Sequence, residues 1–313
     1  MKRSNTHNLV FVFVSVYVAT NAIMQYRLNE YNNFRSPSHN NTFQGLAKPL
    51  NSPCITWITF GNAKYNKTVL RIIKEAESFP YITHVHPFNE EALTNIGFFH
   101  QFSSFVKEHK RGFGYWIWKP FIINYTLHNL VPEHCFLLYM DSGCTLNAMG
   151  ANKTLQYMRD MKERKKHILA YQMQYTERSW TKGDLFDFFE TRNDASVTDT
   201  GQFAATLMFL LNSQRSRNMA NEWLSVAKTN KKLLTDEVSV SPNLPEFYEN
   251  RHDQSIFSLL VKTAYKDDTL VVSYEKEAWA SPEWDSVDWS THWPISPSKM
   301  LEYPFLATRF RFL

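Results

Sequence analysis

Three short stretches carry residue types that can do chemistry. The first is RGFGYWIWKP, Arg111 to Pro120. Its two glycines permit a tight turn or a close approach of backbone to a ligand. Tyr115, Trp116 and Trp118 crowd the stretch with rings, and Lys119 is the cation behind them. The rings suit stacking on a flat ligand, and equally the corner of an aromatic core before a helix that starts at Pro120. The second is LLYMDSGC, residues 137–144, where an apolar run ends in Asp141 and Gly143 permits a turn. A carboxylate at a strand end can hold a divalent cation through oxygen, and the cation neutralises a diphosphate leaving group. The plainer role is a turn residue capping the next segment. The third is FYENRHDQS, Phe247 to Ser255. Asp253 suits a helix N-cap. Arg251, His252, Asp253 and Gln254 in a row are more polar groups than a cap needs.

These residues work together only if secondary structure gathers them. CITWITFG, YITHVHPF (ended by Pro87), CFLLYMDSGC, HILAYQMQ and ATLMFLLNS read as strands, being compact apolar and β-branched runs. TVLRIIKEAESF, FFHQFSSFVKEH, KTLQYMRDMKERKK, NMANEWLSVAKTN and DQSIFSLLVKTAY read as helices. The alternation predicts an α/β fold, a mostly parallel central sheet flanked by helices. In such sheets the site lies beyond the carboxyl ends of the strands. The aromatic, Pro-bearing stretch from about residue 277 lacks periodicity and is expected to wrap the domain. His84 and His86 share one side of a strand, as a metal pair or as half-buried surface groups. The basic run Lys162 to Lys166 reads as a solvated helix face.

Composition narrows the classes. The 313 residues are 43% hydrophobic and 20% charged, which excludes a disordered chain. Three Cys exclude a disulfide scaffold, and 9 Gly exclude collagen-like repeats. Aromatics reach 15%, with nine Trp. A net charge of +4 without a clustered basic face argues against a nucleic-acid binder.

One long apolar run opens the chain behind Lys2 and Arg3, so a multi-span membrane protein is excluded. The pattern divides the chain into a cytoplasmic tail at 1–8, a signal-anchor helix at 9–25, a stem or linker at 26–52 and a luminal domain at 53–313. A cleaved signal peptide, with Thr20 and Ala22 as the small residues before the cut, is the alternative and makes the chain secreted. Either way the domain is luminal. N-x-Ser/Thr sequons at Asn40, Asn66, Asn124 and Asn152 agree with that, although Asn124 falls within a helical stretch. Cys54, Cys135 and Cys144 allow one bond and leave one thiol over. Cys135 and Cys144 flank a strand, too far apart to pair with each other, and no pairing is assigned.

GFGYWIWKP, LLYMDSG and RHDQSIFSLL, in this order and spacing, resemble a glycosyltransferase of the nucleotide-diphospho-sugar transferase superfamily, GT-A type. WTKGDLF at Trp180 to Phe186, TGQFA at Thr200 to Ala204 and LLTD at Leu233 to Asp236 add weaker likeness, and the whole covers roughly residues 53–275. The resemblance implies a Rossmann-like GT-A domain that takes a nucleotide sugar donor and a glycan or glycoconjugate acceptor, usually with Mn or Mg. It assigns Asp141 to the metal or the ribose–diphosphate, and Lys119 and Lys182 to diphosphate charge. Trp116 and Trp118 would pack or stack, and Asp199 and Gln202 would line the cleft. Asp253 and Gln254 would touch donor sugar or acceptor, with Asp253 the base if the enzyme inverts. The family's Asp-x-Asp signature is incomplete here, because Gly143 stands in the second position. That puts the divalent cation in question. The expected protein is a type II, single-span Golgi transferase of the secretory pathway. A catalytically silent relative that binds a glycan or partner is the rival from another class. A structural membrane glycoprotein explains the apolar run and the sequons but not the motifs.

Overall fold

The computed structural model describes residues 53–279 and 302–309. The apolar run at 9–25, the linker at 26–52 and Asn40 lie outside the described residues. Among the described residues no helix is long and apolar enough to cross a membrane.

The strands are β1 (Ile55–Phe60), β2 (Ile82–Phe88), β3 (Phe136–Met140), β4 (Thr145–Leu146), β5 (Ile168–Thr176), β6 (Gly201–Phe203), β7 (Leu207–Leu211), β8 (Thr269–Ser273) and β9 (Phe305–Leu306). Seven form one sheet in the order β2-β1-β3-β7-β5-β6, with β8 on the other side of β5. β1 runs parallel to β2 and β3, and β8 runs parallel to β5. β7 is antiparallel to both β3 and β5, and β6 is antiparallel to β5. Five strands therefore point one way and two the other. The sheet is thus mostly parallel, as expected, with the short antiparallel strand β7 inserted at its centre and β6 antiparallel beside β5. A continuous apolar run such as LMFLL carries no mark of its direction. β2 continues through Pro87 to Phe88, which the missing N–H allows because β2 is an edge strand.

The main helices are α1 (Asn66–Ser78), α2 (Phe98–Glu108), α3 (Trp118–Asn129), α4 (Ala151–Glu163), α5 (Gln214–Thr229) and α6 (Asp253–Ala264). β1 and β3 are buried along their whole length, as strands covered on both faces must be. Alternate residues feed two cores. Ile58, Leu137, Tyr139 and Met208 pack under α2, α3, α5 and α6 through Phe102, Ile122, Trp223 and Phe257. Trp57, Phe136, Leu138 and Phe209 pack under α1 and α4 through Ile72, Tyr157 and Met161. In the described part of the late segment, β9 pairs with β4, and the buried Phe305 ring meets Phe79, Tyr157 and Phe209. β6 and β8 were not legible as strands. β6 has three residues and opens on Gly201, where an added Cβ would lie 1.6 Å from the Met173 carbonyl of β5.

The pairing left open by the cysteine count is Cys54 with Cys135, and Cys144 is a buried thiol. The bond ties the start of β1 to the start of β3 across 81 residues. Closing so long a loop in the unfolded chain stabilises the native one by about 2–4 kcal/mol. Reduction, or Cys54→Ser, is expected to lower the melting temperature by roughly 5–15 °C. An unchanged melting curve in reductant would show that the bond carries no stability.

Candidate functional site

The first and third motifs meet the second at one buried ammonium. Lys119, near the start of α3, places Nζ 3.2 Å from Asp141 Oδ1 and 3.3 Å from Asp253 Oδ2. Nζ also donates to the Ala205 carbonyl at 3.1 Å. The Tyr139 hydroxyl also donates to Asp141 Oδ1. Burial disfavours the ammonium, but the two carboxylates outweigh it and the Lys119 pKa is raised. Burial pushes the Asp253 carboxyl up to about 6, with Lys119 opposing the shift and Asp141 adding to it. Burial, then the Asp141 charge, keeps the Tyr139 phenol protonated far above its usual range. Asp253 is enclosed, whereas the Asp141 side chain is 36% exposed. Asp141 is thus the acid of the pair that reaches solvent.

The break between β6 and β7 supplies the backbone partners. Ala205 gives its carbonyl to Lys119 and its N–H to Gln254 Oε1 at 3.1 Å. The neighbouring Thr206 carbonyl takes the Asp141 N–H at 3.0 Å. Gln254 Nε2 donates to Gln202 Oε1 at 2.6 Å. A sheet interruption thereby becomes a hub for groups from α3, β3 and α6.

Two strained segments border this hub. Residues 112–116 form a left-handed turn, with φ of 55° at Gly112, 56° at Phe113, 84° at Gly114, 49° at Tyr115 and 60° at Trp116. Each non-glycine residue in that region costs roughly 1–2 kcal/mol. The glycines are needed: a Cβ on Gly114 would lie 2.9 Å from Val106. α3 begins at Trp118, two residues before the expected Pro120 start, so the proline sits in the first turn where no N–H bond is lost. His252, just before α6, has φ 55° and ψ −120°. Its Nδ1 donates to the Leu234 carbonyl at 2.6 Å, which fixes the tautomer, and burial lowers its pKa. Trp116 stacks on its ring at 5.2 Å, and Tyr115 lies 5.0 Å away. Arg111 grips Asp236 with two bonds, of 3.0 and 2.9 Å, and Tyr115 adds a third at 2.9 Å.

The structure gathers some of the expected residues and scatters others. Lys119, Asp141, Asp253 and Gln254 come together. Trp116 lies beside them, half-buried on His252. Trp118 is core: it is buried, donates to the Gly112 carbonyl at 3.0 Å and packs on Phe60. Gln202 is enclosed beneath the site rather than lining a cleft. Lys182 spends its donors on the carbonyls of Lys232, Thr235 and Glu237, at 2.5, 3.2 and 3.2 Å, and clamps that loop rather than presenting charge. Asp199 is exposed and paired with Arg178. Asn66 and Asn152 are exposed in first helical turns. Asn124 is half-buried in α3 with its Oδ1 enclosed. His84 and His86 stack at 6.3 Å on the edge strand. Among the described residues no group of three or more His, Cys, Asp or Glu can hold a metal. Sequence reasoning missed Tyr139 and Ala205. Tyr139 reads as strand core, and a backbone group carries no residue signal.

The donor set fits one kind of cation site. One ammonium faces two carboxylates, so above about pH 6 the cluster carries net negative charge, unsuited to a diphosphate by itself. A hard cation held by Asp141 together with phosphate oxygens and water would correct this. The protein alone supplies too few oxygens to retain it.

No known family profile matches the sequence, and no curated protein sequence matches it. The chain is similar to the solved apo structure of mouse xyloside xylosyltransferase 1, at 9% identity and TM-score 0.44 over 81% of this chain and 97% of that one. It is similar to a glycosyltransferase involved in glycosylation of the major capsid of PBCV-1, at 10% identity and TM-score 0.44, covering 81% and 93% of the two chains. It is also similar to the galactosyltransferase LgtC in complex with donor and acceptor sugar analogs, at 11% identity and TM-score 0.40, covering 81% and 86%.

Lys119→Met leaves two acids without their cation. The expected loss is about 3–5 kcal/mol of unfolding free energy at pH 7.5. The deficit should shrink by pH 5. The folded-state pKa of Asp253 is raised to about 6, and higher without Lys119, so at low pH the buried acid is neutral and no charge is stranded. Urea titrations at both pH values check this, and an equal deficit at each would refute the charge account.

Proposed function

We propose that the chain is a glycosyltransferase that moves a sugar from a nucleotide diphosphate to an acceptor hydroxyl of a glycan, glycoprotein or glycolipid. The observation that carries the reading is the single ammonium shared by Asp141 and Asp253, which joins all three motifs at the carboxyl end of β3. Asp141 is the group that meets the donor diphosphate. Lys119 and the Tyr139 hydroxyl hold its Oδ1 and fix its direction. Bound there, a divalent cation would neutralise charge developing on the leaving diphosphate. Asp253 is enclosed in this conformation and acts on Lys119 and through α6, so it is a positioning residue here. Gln254 orients Ala205 and with it the same ammonium. Pre-set polar groups of this kind act on charge without reorganising as it develops.

A second reading has its own support. Gly143 replaces the second acid, and Asp253 is covered, as suits a protein that binds a glycan or partner without transferring sugar. Hydrolysis of nucleotide sugars with and without Mn separates the two.

The compartment is proposed as the secretory pathway, in a type II membrane protein of the Golgi or its secreted form. The Cys54–Cys135 bond supports an oxidising compartment. In this reading glycans are expected on Asn66 and Asn152, the two exposed sequons among the described residues, and peptide mapping after endoglycosidase treatment checks the pattern. An unglycosylated chain from human or insect secretory cells would remove the luminal assignment.

Asp141→Asn keeps size and removes charge. Transfer is expected to fall about a hundredfold while the melting temperature stays near the parent's. Parent-like transfer would place the site elsewhere, and failure to fold would make Asp141 a turn residue. Equilibrium dialysis adds a readout independent of turnover: Mn should be retained when a nucleoside diphosphate is present and not by the protein alone. Retention without nucleotide would mean a ligand set richer than Asp141.

A further inference from the structure

We infer that Trp180, Tyr248 and Arg251 form a docking platform for a sugar ring of the acceptor, beside the Lys119–Asp141–Asp253 cluster. The inference rests on the transferase reading and names where its second substrate sits. Tyr248 is 74% exposed, against 43% for Phe188, the other exposed large apolar ring among the described residues. Its ring meets Trp180 edge-on at 5.1 Å, and Tyr175 braces Trp180 from another side at 5.4 Å. The Arg251 guanidinium lies 3.9 Å over the Trp180 ring and is held by Glu249 Oε1 at 3.1 Å. The guanidinium takes one face of Trp180, which leaves the exposed Tyr248 ring, with that guanidinium and a carboxylate close by, as the surface that matches a pyranose. A sugar ring has an apolar C–H face for the aromatic ring, and hydroxyls at its rim that pair with a fork of donors and acceptors.

Position ties this platform to the cluster. The Trp180 carbonyl accepts from the Ser255 hydroxyl at 2.8 Å, the Arg251 N–H at 3.2 Å and Gln202 Nε2 at 3.2 Å. Gln202 in turn holds Gln254. One hydrogen-bonded path therefore runs from the platform to the residue beside Asp253. The ordered ring pair and the braced guanidinium are pre-arranged, which lowers the entropic cost of holding a ligand.

The experiment is saturation-transfer NMR on the described domain's parent chain with lactose, maltose, cellobiose and N,N′-diacetylchitobiose as probes, irradiating aromatic protons. Transfer to ring protons of at least one probe is expected. Tyr248→Ala should weaken that binding about fivefold. Arg251→Lys, which keeps charge and loses the planar fork, should weaken it in the same direction. Tyr248 is so exposed that its alanine variant should melt at the parent temperature, which separates lost binding from lost fold. Equal transfer from parent and Tyr248→Ala, or no transfer to any probe, overturns the platform. Nucleotide-sugar hydrolysis by the parent is measured separately. A platform that binds sugar in a chain that never hydrolyses or binds a nucleotide sugar would defeat the transferase reading and the acceptor assignment with it, and leave a sugar-binding surface.

Discussion

A buried ammonium must be surrounded, and that requirement organises the structure around Lys119. An uncompensated charge in a protein interior is worth several kcal/mol of penalty. Three acceptors from three separate places meet it: Asp141 at the end of β3, Asp253 at the start of α6 and the Ala205 carbonyl between β6 and β7. None of these elements can move without stranding the charge. The same pairing keeps both acids near each other despite their repulsion, and it leaves one of them, Asp141, open to solvent.

The strain nearby has identifiable compensation. The left-handed turn at 112–116 includes Phe113, Tyr115 and Trp116, three residues for which that conformation is costly. The turn is held by the Arg111 and Tyr115 bonds to Asp236, by the Trp118 bond to the Gly112 carbonyl and by the Trp116 stack on His252. His252 is itself in a strained conformation, so the two segments brace each other. Asp236 lies in the loop that Lys182 clamps through three carbonyls. A lysine expected to meet substrate thus acts at one remove, by holding the loop that holds the turn.

The sequence made the elements readable where periodicity was strong. β1, β3, α1 and α6 lie close to where their apolar patterns put them, and the motif residues Lys119, Asp141, Asp253 and Gln254 do converge. What remained hidden has physical causes. Direction is invisible in a wholly buried strand, so β7 read like its parallel neighbours. β6 is too short to show a pattern. Side chains that serve backbone, such as Lys182, look the same in sequence as side chains that serve ligands. Gln202 looks like a cleft residue by its polarity, yet it is polar because it must satisfy buried groups around it. The platform ring Tyr248 drew no notice, since exposure is a property of the folded chain.

Placement of Asp253 depends on how α6 seats on β6, and an unexpected stripe sets that seating. IFSLLVK reads as an apolar helix, but Gln254, Ser258 and Lys262 recur every four residues and therefore share one face. Gln254 reaches Ala205 and Gln202, Ser258 takes the Phe203 N–H at 2.7 Å and donates to Glu177, and Lys262 pairs with Glu177 at 2.9 Å and with the Gly201 carbonyl at 2.8 Å. Glu177 is wholly enclosed and also accepts from Thr181 at 2.7 Å. An apolar interface tolerates a helix sliding by part of a turn, because hydrophobic contact is non-directional. A polar stripe does not, since a shift of one turn, about 5.4 Å, would break every one of these bonds and leave Glu177 buried and unpaired. The second ion pair thereby locks the helix that delivers Asp253 to the first, and the geometry around Lys119 and Asp141 depends on a carboxylate, Glu177, that is enclosed in the core.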